Sequence, residues 1–225
     1  MKRILCYGDS NTHGCNPAWV PAWEEDPEKT VRFSEEIRWT CVLQRLLGEK
    51  EYRVIEEGLP GRTTVFPDPV YPHCNGKDSI YPCILSHSPV DLLVIMLGTN
   101  DIKVSFHPCV DMAVRAMEEL LKVVLNPYIW EHRRVPKLLL VAPVPVRDQI
   151  ETSNFWGMYD RNSVELSRQL GGVYETLAEQ YGCHFLNAGD YAEASELDSI
   201  HLDEENHRKL AEALEEKIRR IFEKQ

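Results

Sequence analysis

Five apolar runs of strand length, each separated from the next by a longer stretch of helical periodicity, limit what this chain can fold into. They occupy residues 4–7, 52–55, 92–97, 137–142 and 184–186. Strands that alternate with helices pair in parallel, because the crossover between two parallel strands must be long enough to hold a helix. The intervening segments predict helices over residues 39–47, 79–88, 111–125, 162–181 and 204–223. In the last, Leu210, Leu214, Ile218 and Ile221 recur at spacings of four, four and three, which makes one apolar face for docking on a sheet. The expected class is therefore α/β, a parallel sheet covered by helices on both sides. With 225 residues and no linker-like stretch, a single domain over residues 1–225 is expected. Two segments break the alternation: 65–77, with Pro67, Pro69 and Pro72, and 143–159, with Phe155, Trp156, Met158 and Tyr159. Loops of that length in a compact domain usually carry function or contacts.

Charge narrows the partners. Thirty-six acidic and 25 basic side chains give a net charge of −11, with no local cluster of Lys or Arg. A phosphate backbone or an anionic bilayer calls for a basic patch, so neither nucleic acid nor membrane is an expected partner. No stretch approaches the roughly 20 apolar residues of a membrane helix. The apolar run after Met1-Lys2-Arg3 is too short for a signal peptide, so a cytoplasmic protein is expected. Seven scattered cysteines, odd in number and without a Cys-x-x-Cys pair, suit reduced thiols better than a disulfide frame or a zinc knuckle. Neither a metal nor a cofactor is expected.

Chemistry concentrates where the runs end. The first leads directly into Gly8-Asp9-Ser10-Asn11-Thr12-His13-Gly14, which sets a hydroxyl in a glycine-flanked turn at the carboxyl end of a strand. In open α/β sheets that is the ligand-binding edge. The second run is followed by Gly58-Leu59-Pro60-Gly61-Arg62-Thr63-Thr64 and the third by Gly98-Thr99-Asn100-Asp101. Gly61 can offer an unobstructed backbone N–H and Asn100 an amide NH2, donors suited to the negative charge that develops on an acyl oxygen. Both could equally be ordinary turn residues. A nucleophilic serine needs a base, and the base needs an acid to orient it. Of the eight histidines, His201 combines a nearby upstream acid, in Asp198-Ser199-Ile200-His201, with a loop position before a helix. His207 follows Asp203 by four residues, the spacing of a surface pair on a helix.

These four blocks, in this order, resemble the SGNH (GDSL-like) hydrolases. Gly8-Asp9-Ser10 is similar to the nucleophile block, Gly61 occupies the glycine of the second, Gly98-Thr99-Asn100-Asp101 resembles the third, and Asp198 with His201 the last. The resemblance implies a flavodoxin-like three-layer α/β/α fold with a five-stranded parallel sheet and a Ser10–His201–Asp198 triad. It also implies an oxyanion hole made by the Ser10 N–H, the Gly61 N–H and the Asn100 amide. Lys2-Arg3-Ile4-Leu5-Cys6, Arg38-Trp39, Glu56-Glu57-Gly58-Leu59, Arg62-Thr63-Thr64 and Ile95-Met96-Leu97-Gly98 narrow the likeness to the small bacterial arylesterase/acyltransferase branch. Members of that branch hydrolyse short acyl esters, some transfer the acyl group to alcohols, and many are oligomers. A small-molecule ester substrate and a homo-oligomer are the corresponding expectations. One departure is Asn11, where leucine is usual, which predicts a more polar pocket and makes acetylated sugars a second substrate class. Asn11, Thr99 and Ile200, neighbours of the triad and oxyanion groups, are the expected substrate contacts.

Other readings of the same residues stay open at this point. A cysteine nucleophile would draw on Cys6 or Cys15, a glycosidase on Glu56 and Glu57, and a metal site on Asp9, His13 and the terminal histidines. The fold could also serve as a binding module without catalysis. The aromatic stretch from Pro17 to Trp23 and the cluster of Phe155, Trp156 and Tyr159 are expected to rim the pocket or form a subunit contact.

Overall fold

The computed structural model describes residues 1–18 and 31–223, so residues 19–23 of the Pro17 to Trp23 stretch lie outside the described residues. Five strands, β1 (Lys2–Gly8), β2 (Tyr52–Gly58), β3 (Leu92–Met96), β4 (Lys137–Ala142) and β5 (His184–Asn187), form one sheet in the order β2-β1-β3-β4-β5. Every neighbouring pair is parallel, as the alternation requires. The chain first steps outward from β1 to β2 and then crosses back to β3, so the winding reverses between β1 and β3. Crevices at such reversals are where open α/β sheets bind ligands. Gly8 pairs with both Gly58 and Met96, which brings the carboxyl ends of β2, β1 and β3 to one level.

Among the described residues six α-helices accompany the sheet: α1 (Ser10–His13), α2 (Trp39–Leu47), α3 (Gly76–His87), α4 (Val110–Val124), α5 (Arg161–Tyr181) and α6 (Glu204–Glu223). Successive strand residues point to opposite faces, and both faces here are covered. Ile4, Cys6, Val94 and Val141 pack on Trp39 and Leu43 of α2 and on Leu210, Leu214 and Ile218 of α6. Leu5, Tyr7, Ile95 and Leu140 pack on Ile80 of α3, Met117 and Leu120 of α4 and Tyr174 of α5. Burial on both sides explains why the strands read as continuous apolar runs and not as an alternation.

The helix boundaries differ from the periodicity where side chains cap. α3 starts at Gly76, three residues before the expected start, because the Asn75 side chain accepts the N–H groups of Lys77 (2.9 Å) and Asp78 (3.4 Å). α5 opens with a capping box between Asp160 and Ser163. The single-turn α1 has no periodicity to announce it, and it is delimited by its caps, Asp9 before and left-handed Gly14 after. The 143–159 segment is a third packed unit, in which Val146, Ile150 and Tyr159 cluster with Ile102, Val164, Leu166 and Ile200. It forms an apolar pad beneath the loop that carries His201. Among the described residues no helix is long and apolar enough to cross a membrane.

Candidate active site

Ser10 stands where β1 turns into α1. The Asp9 carboxylate accepts the Asn11 N–H (3.0 Å), and the turn closes through His13 N–H to Asp9 C=O and Gly14 N–H to Ser10 C=O, both 2.9 Å. Amides in the first turn of a helix have no intrahelical acceptor, so the Ser10 N–H is left to donate elsewhere. Close approach of β2 makes the turn compact: a Cβ on residue 58 would lie 2.1 Å from the His13 nitrogen, so that position must be glycine. Ser10 itself is 7% exposed.

The Asp198–His201 pair sits in the irregular stretch between β5 and α6. One Asp198 oxygen accepts the N–H groups of Ile200 (3.0 Å) and His201 (2.9 Å), and the other lies 2.5 Å from His201 Nδ1. A single carboxylate thus shapes the turn and orients the ring. Ser199, between them, adopts a left-handed φ of 67°, uncommon for a residue with a Cβ. A carboxylate at Nδ1 calls for the proton on that nitrogen and leaves the Nε2 lone pair as a base. The 143–159 segment steadies the pair from below: the Ser153 hydroxyl donates to the Asp198 carbonyl (2.5 Å), and the Phe155 ring meets the imidazole edge to face at 5.4 Å.

Side chains brace these loops to one another. Asn11, next to Ser10, donates to the Ile200 carbonyl (3.2 Å) and accepts the Leu202 N–H (2.9 Å), so both neighbours of His201 are tied to the serine turn. The Tyr159 hydroxyl donates to Asn100 Oδ1 (3.3 Å), which turns the Asn100 NH2 toward the Asp9 carboxylate (3.5 Å) and the start of α1. Gly61 has φ of 80°, and a Cβ there would press on the Tyr71 ring at 3.2 Å. Arg62 stacks on the Tyr7 ring at 4.0 Å and donates to the carbonyls of Gly8 (2.8 Å) and Glu57. Asp101 accepts the Thr64 N–H and hydroxyl, each at 2.8 Å. Burial pushes the Asp9 carboxyl up to about 6 and the Asp101 carboxyl up to about 7, against the lowering effect of the hydrogen bonds each accepts.

The structure brings the loops of Ser10, Gly61, Asn100, Asp198 and His201 to one end of the sheet. The expected substrate contacts, Asn11, Thr99 and Ile200, lie at the same end of the sheet and are each buried. Both polar ends of the Asn11 amide are engaged with the histidine loop, Ile200 belongs to the apolar pad, and the Thr99 hydroxyl is buried with no hydrogen-bond partner among the described residues. Glu56 and Glu57 diverge as strand neighbours must: Glu56 pairs with Arg38 (2.9 Å) and Thr40 (2.6 Å), Glu57 with His87 (2.6 Å). Burial raises both the Cys6 and Cys15 thiols, the latter to about 12, which disfavours the reactive thiolate. Potential metal ligands group at Glu57, Cys83 and His87 among the described residues, a set without Asp9, His13 or the terminal histidines. His207 is no surface partner of Asp203: it is fully buried and its Nδ1 accepts the Trp39 N–H (3.3 Å), whereas Asp203 accepts the Asn206 N–H (2.9 Å) ahead of α6.

Sequence reasoning assigned no bracing role to Asp9, Arg62, Asp101 or Ser153. Only Asp9 left a signal, as a capping residue before a short segment closed by glycine.

Comparison with known proteins places the chain in a family and a fold. Residues 6–209 match the GDSL-like lipase/acylhydrolase family. The chain is similar to a carbohydrate acetylesterase, Est24, from Sinorhizobium meliloti, with 36% identity, TM-score 0.86 and coverage of 98% of this chain and 100% of that one. It is also similar to the aryl esterase of M. smegmatis, with 36% identity, TM-score 0.84 and coverage of 98% and 99%. A lipase/acylhydrolase from Enterococcus faecalis, at 15% identity and TM-score 0.67 over 98% and 97% of the two chains, shares the fold. No curated protein sequence matches the chain significantly. With the family match spanning most of its length, the chain belongs to the GDSL-like lipase/acylhydrolase (SGNH) family.

Proposed function

We propose that the protein is a serine esterase acting on short-chain, acetyl-like esters. His201 takes the Ser10 proton as the hydroxyl oxygen attacks the ester carbonyl, the C–O bond to the alcohol breaks, and His201 returns the proton to the departing alkoxide. Water, or a second alcohol, then attacks the acyl–Ser10 ester and gives up its proton to His201; the acyl C–Oγ bond breaks, His201 returns that proton to Ser10 Oγ, and the acid or a new ester leaves the free serine. The Ser10 N–H, the Gly61 N–H and the Asn100 NH2 meet the oxyanion of both tetrahedral intermediates. The observation that carries this reading is the Asp198 carboxylate 2.5 Å from His201 Nδ1, in a loop bound through Asn11 to the turn that holds Ser10. That pairing fixes the tautomer that leaves Nε2 free to act as the base a nucleophilic serine requires.

A second reading, a carbohydrate O-acetyl esterase, is favoured by the likeness to the S. meliloti acetylesterase. It uses the same triad and differs in the alcohol. One experiment addresses both levels. A fluorophosphonate probe is expected to label the protein at Ser10 and to leave Ser10→Ala unlabelled, and no label on the parent protein would overturn the triad. Turnover of acetyl, butyryl and longer nitrophenyl esters, measured beside acetylated sugars, then assigns the alcohol class. A preference for long acyl chains would contradict the short-chain reading.

A further inference from the structure

Asn11 engages every polar group it possesses. Its N–H donates to Asp9 (3.0 Å), its carbonyl accepts the Trp39 indole N–H (3.0 Å), its Oδ1 accepts the Leu202 N–H and its Nδ2 donates to the Ile200 carbonyl. The last two contacts have a recognisable form. One group that donates to the C=O of the residue before His201 and accepts the N–H of the residue after it reproduces the pairing a neighbouring parallel strand would make. The amide of a side chain therefore stands in for a strand, and the residue it frames is the base of the triad.

The loop has need of such a partner. Residues 191–203 contain no helix or strand, and Ser199 holds an uncommon left-handed conformation. Its own backbone bonds, Ser199 N–H to Ser195 C=O (2.9 Å) and Ser195 N–H to His201 C=O (2.7 Å), close the loop on itself. Arg147 N–H to Ser199 C=O (3.1 Å) and the Ser153 hydroxyl tie it to the pad on the far side. Asn11 ties it to the serine turn, and at 2% exposure water has little access to replace the amide.

We propose that Asn11 is a positioning residue that holds the His201 backbone in register with Ser10 and makes no contact with substrate. The proposal rests on the esterase reading and names what sets the serine–histidine geometry within it. It also removes the polarity of residue 11 as an argument for sugar substrates.

The test is a double-mutant cycle. Asn11→Leu keeps the branched shape, at a larger volume, and removes both bonds to the histidine loop. Since a misplacement of about 1 Å can cost roughly 10²-fold in rate, kcat on a nitrophenyl acetate is expected to fall by about that factor with KM close to the parent value. In a His201→Ala background the same substitution is expected to have no further effect, because Asn11 acts through the imidazole. An equal loss in both backgrounds, a loss carried by KM, or full activity of Asn11→Leu would each overturn the proposal. If Asn11→Leu does not fold, hydrogen exchange on the parent protein decides instead: the Leu202 amide is expected to exchange as slowly as core amides of α6, and exchange at the rate of an open loop would refute the tether. Failure of the esterase reading is visible separately, as a parent protein whose Ser10 takes no fluorophosphonate label, and the Leu202 amide still decides for or against the tether in that case.

Discussion

Two buried imidazoles six positions apart in the chain are put into opposite states by the fold. His201, in the loop ahead of α6, has a carboxylate oxygen 2.5 Å from Nδ1; His207, inside α6, has the Trp39 backbone N–H at 3.3 Å from the same atom. An acceptor at Nδ1 demands a proton there, whereas a donor demands a lone pair. His201 therefore keeps its free electron pair on Nε2 and can serve as a base. His207 carries its proton on Nε2, which is buried without a hydrogen-bond partner among the described residues. Burial alone makes neither a catalyst. What Nδ1 meets decides the role, and α2, whose N-cap residue Arg38 makes no side-chain cap, borrows His207 as a cap from another helix.

The sharpest way to break this comparison is to remove each ring in turn. His201→Ala is expected to lower kcat by about 10⁶-fold, the scale seen when a triad base is deleted. His207→Asn, which keeps an acceptor close to the Nδ1 position, is expected to change kcat by less than about tenfold, because its ring makes no bond in the chain of contacts from Asp198 to Ser10. Steady-state kinetics on one nitrophenyl ester measures both. Comparable losses would mean that the two imidazoles are not divided as their partners suggest.

A smaller effect isolates the carboxylate. Asp198→Asn can still fill the space at His201 Nδ1, yet its amide can present a donor, which would push the ring toward the tautomer that His207 has. The expected loss in kcat is about 10⁴-fold, the magnitude for a base locked in the wrong tautomer. The backbone N–H groups of Ile200 and His201 retain an acceptor in the Asn oxygen, so the fold should persist with an unchanged circular dichroism spectrum. A variant that keeps most of its activity would show that the acid is not what prepares His201.

How much of this was legible beforehand follows from the kind of interaction involved. The sheet was readable because burial on both faces leaves long apolar runs, and Leu5, Tyr7 and Ile95 announce their environment by type alone. Ser10, Asp198 and His201 stood out because their chemistry depends on residues close in sequence or at strand ends. The roles of Asn11 and His207 did not, since each is defined by partners far along the chain: Asn11 bonds residues 200 and 202, and His207 caps a helix that begins at Trp39. Periodicity gave His207 a surface role because its spacing from Asp203 fits a helical pair, and nothing local says that this face of α6 packs against Phe33 and α2. Long-range polar bonds leave no period and no composition bias, so the braces around the site emerge only in three dimensions.

The smallest expected effect separates the two histidines by their response to acid. Burial, assisted by the nearby charges of His201 and Arg38 and opposed by Asp203, lowers the His207 imidazole from its ordinary value to about 3. The unfolded chain binds that proton below about 6.5 and the folded one only near 3, so between these limits the unfolded state holds more protons. His207 consequently contributes stability that is fully present above pH 6.5 and is lost as pH falls toward 3, at up to about 1.4 kcal/mol per pH unit. Asp9 and Asp101 act in the opposite direction, because carboxyls raised to about 6 and about 7 hold a proton in the folded state after the unfolded chain has released it. Their stabilising effect lies on the acid side and fades as pH rises through those values. The parent profile sums both, so the informative quantity is the difference between parent and His207→Asn in urea unfolding at a series of pH values. That variant lacks the titrating ring, and its stability is expected to decline less steeply than the parent's from pH 6.5 down to 4. Parallel profiles would mean that His207 exchanges no proton on unfolding, and the division between a base and a cap would then rest on His201 alone.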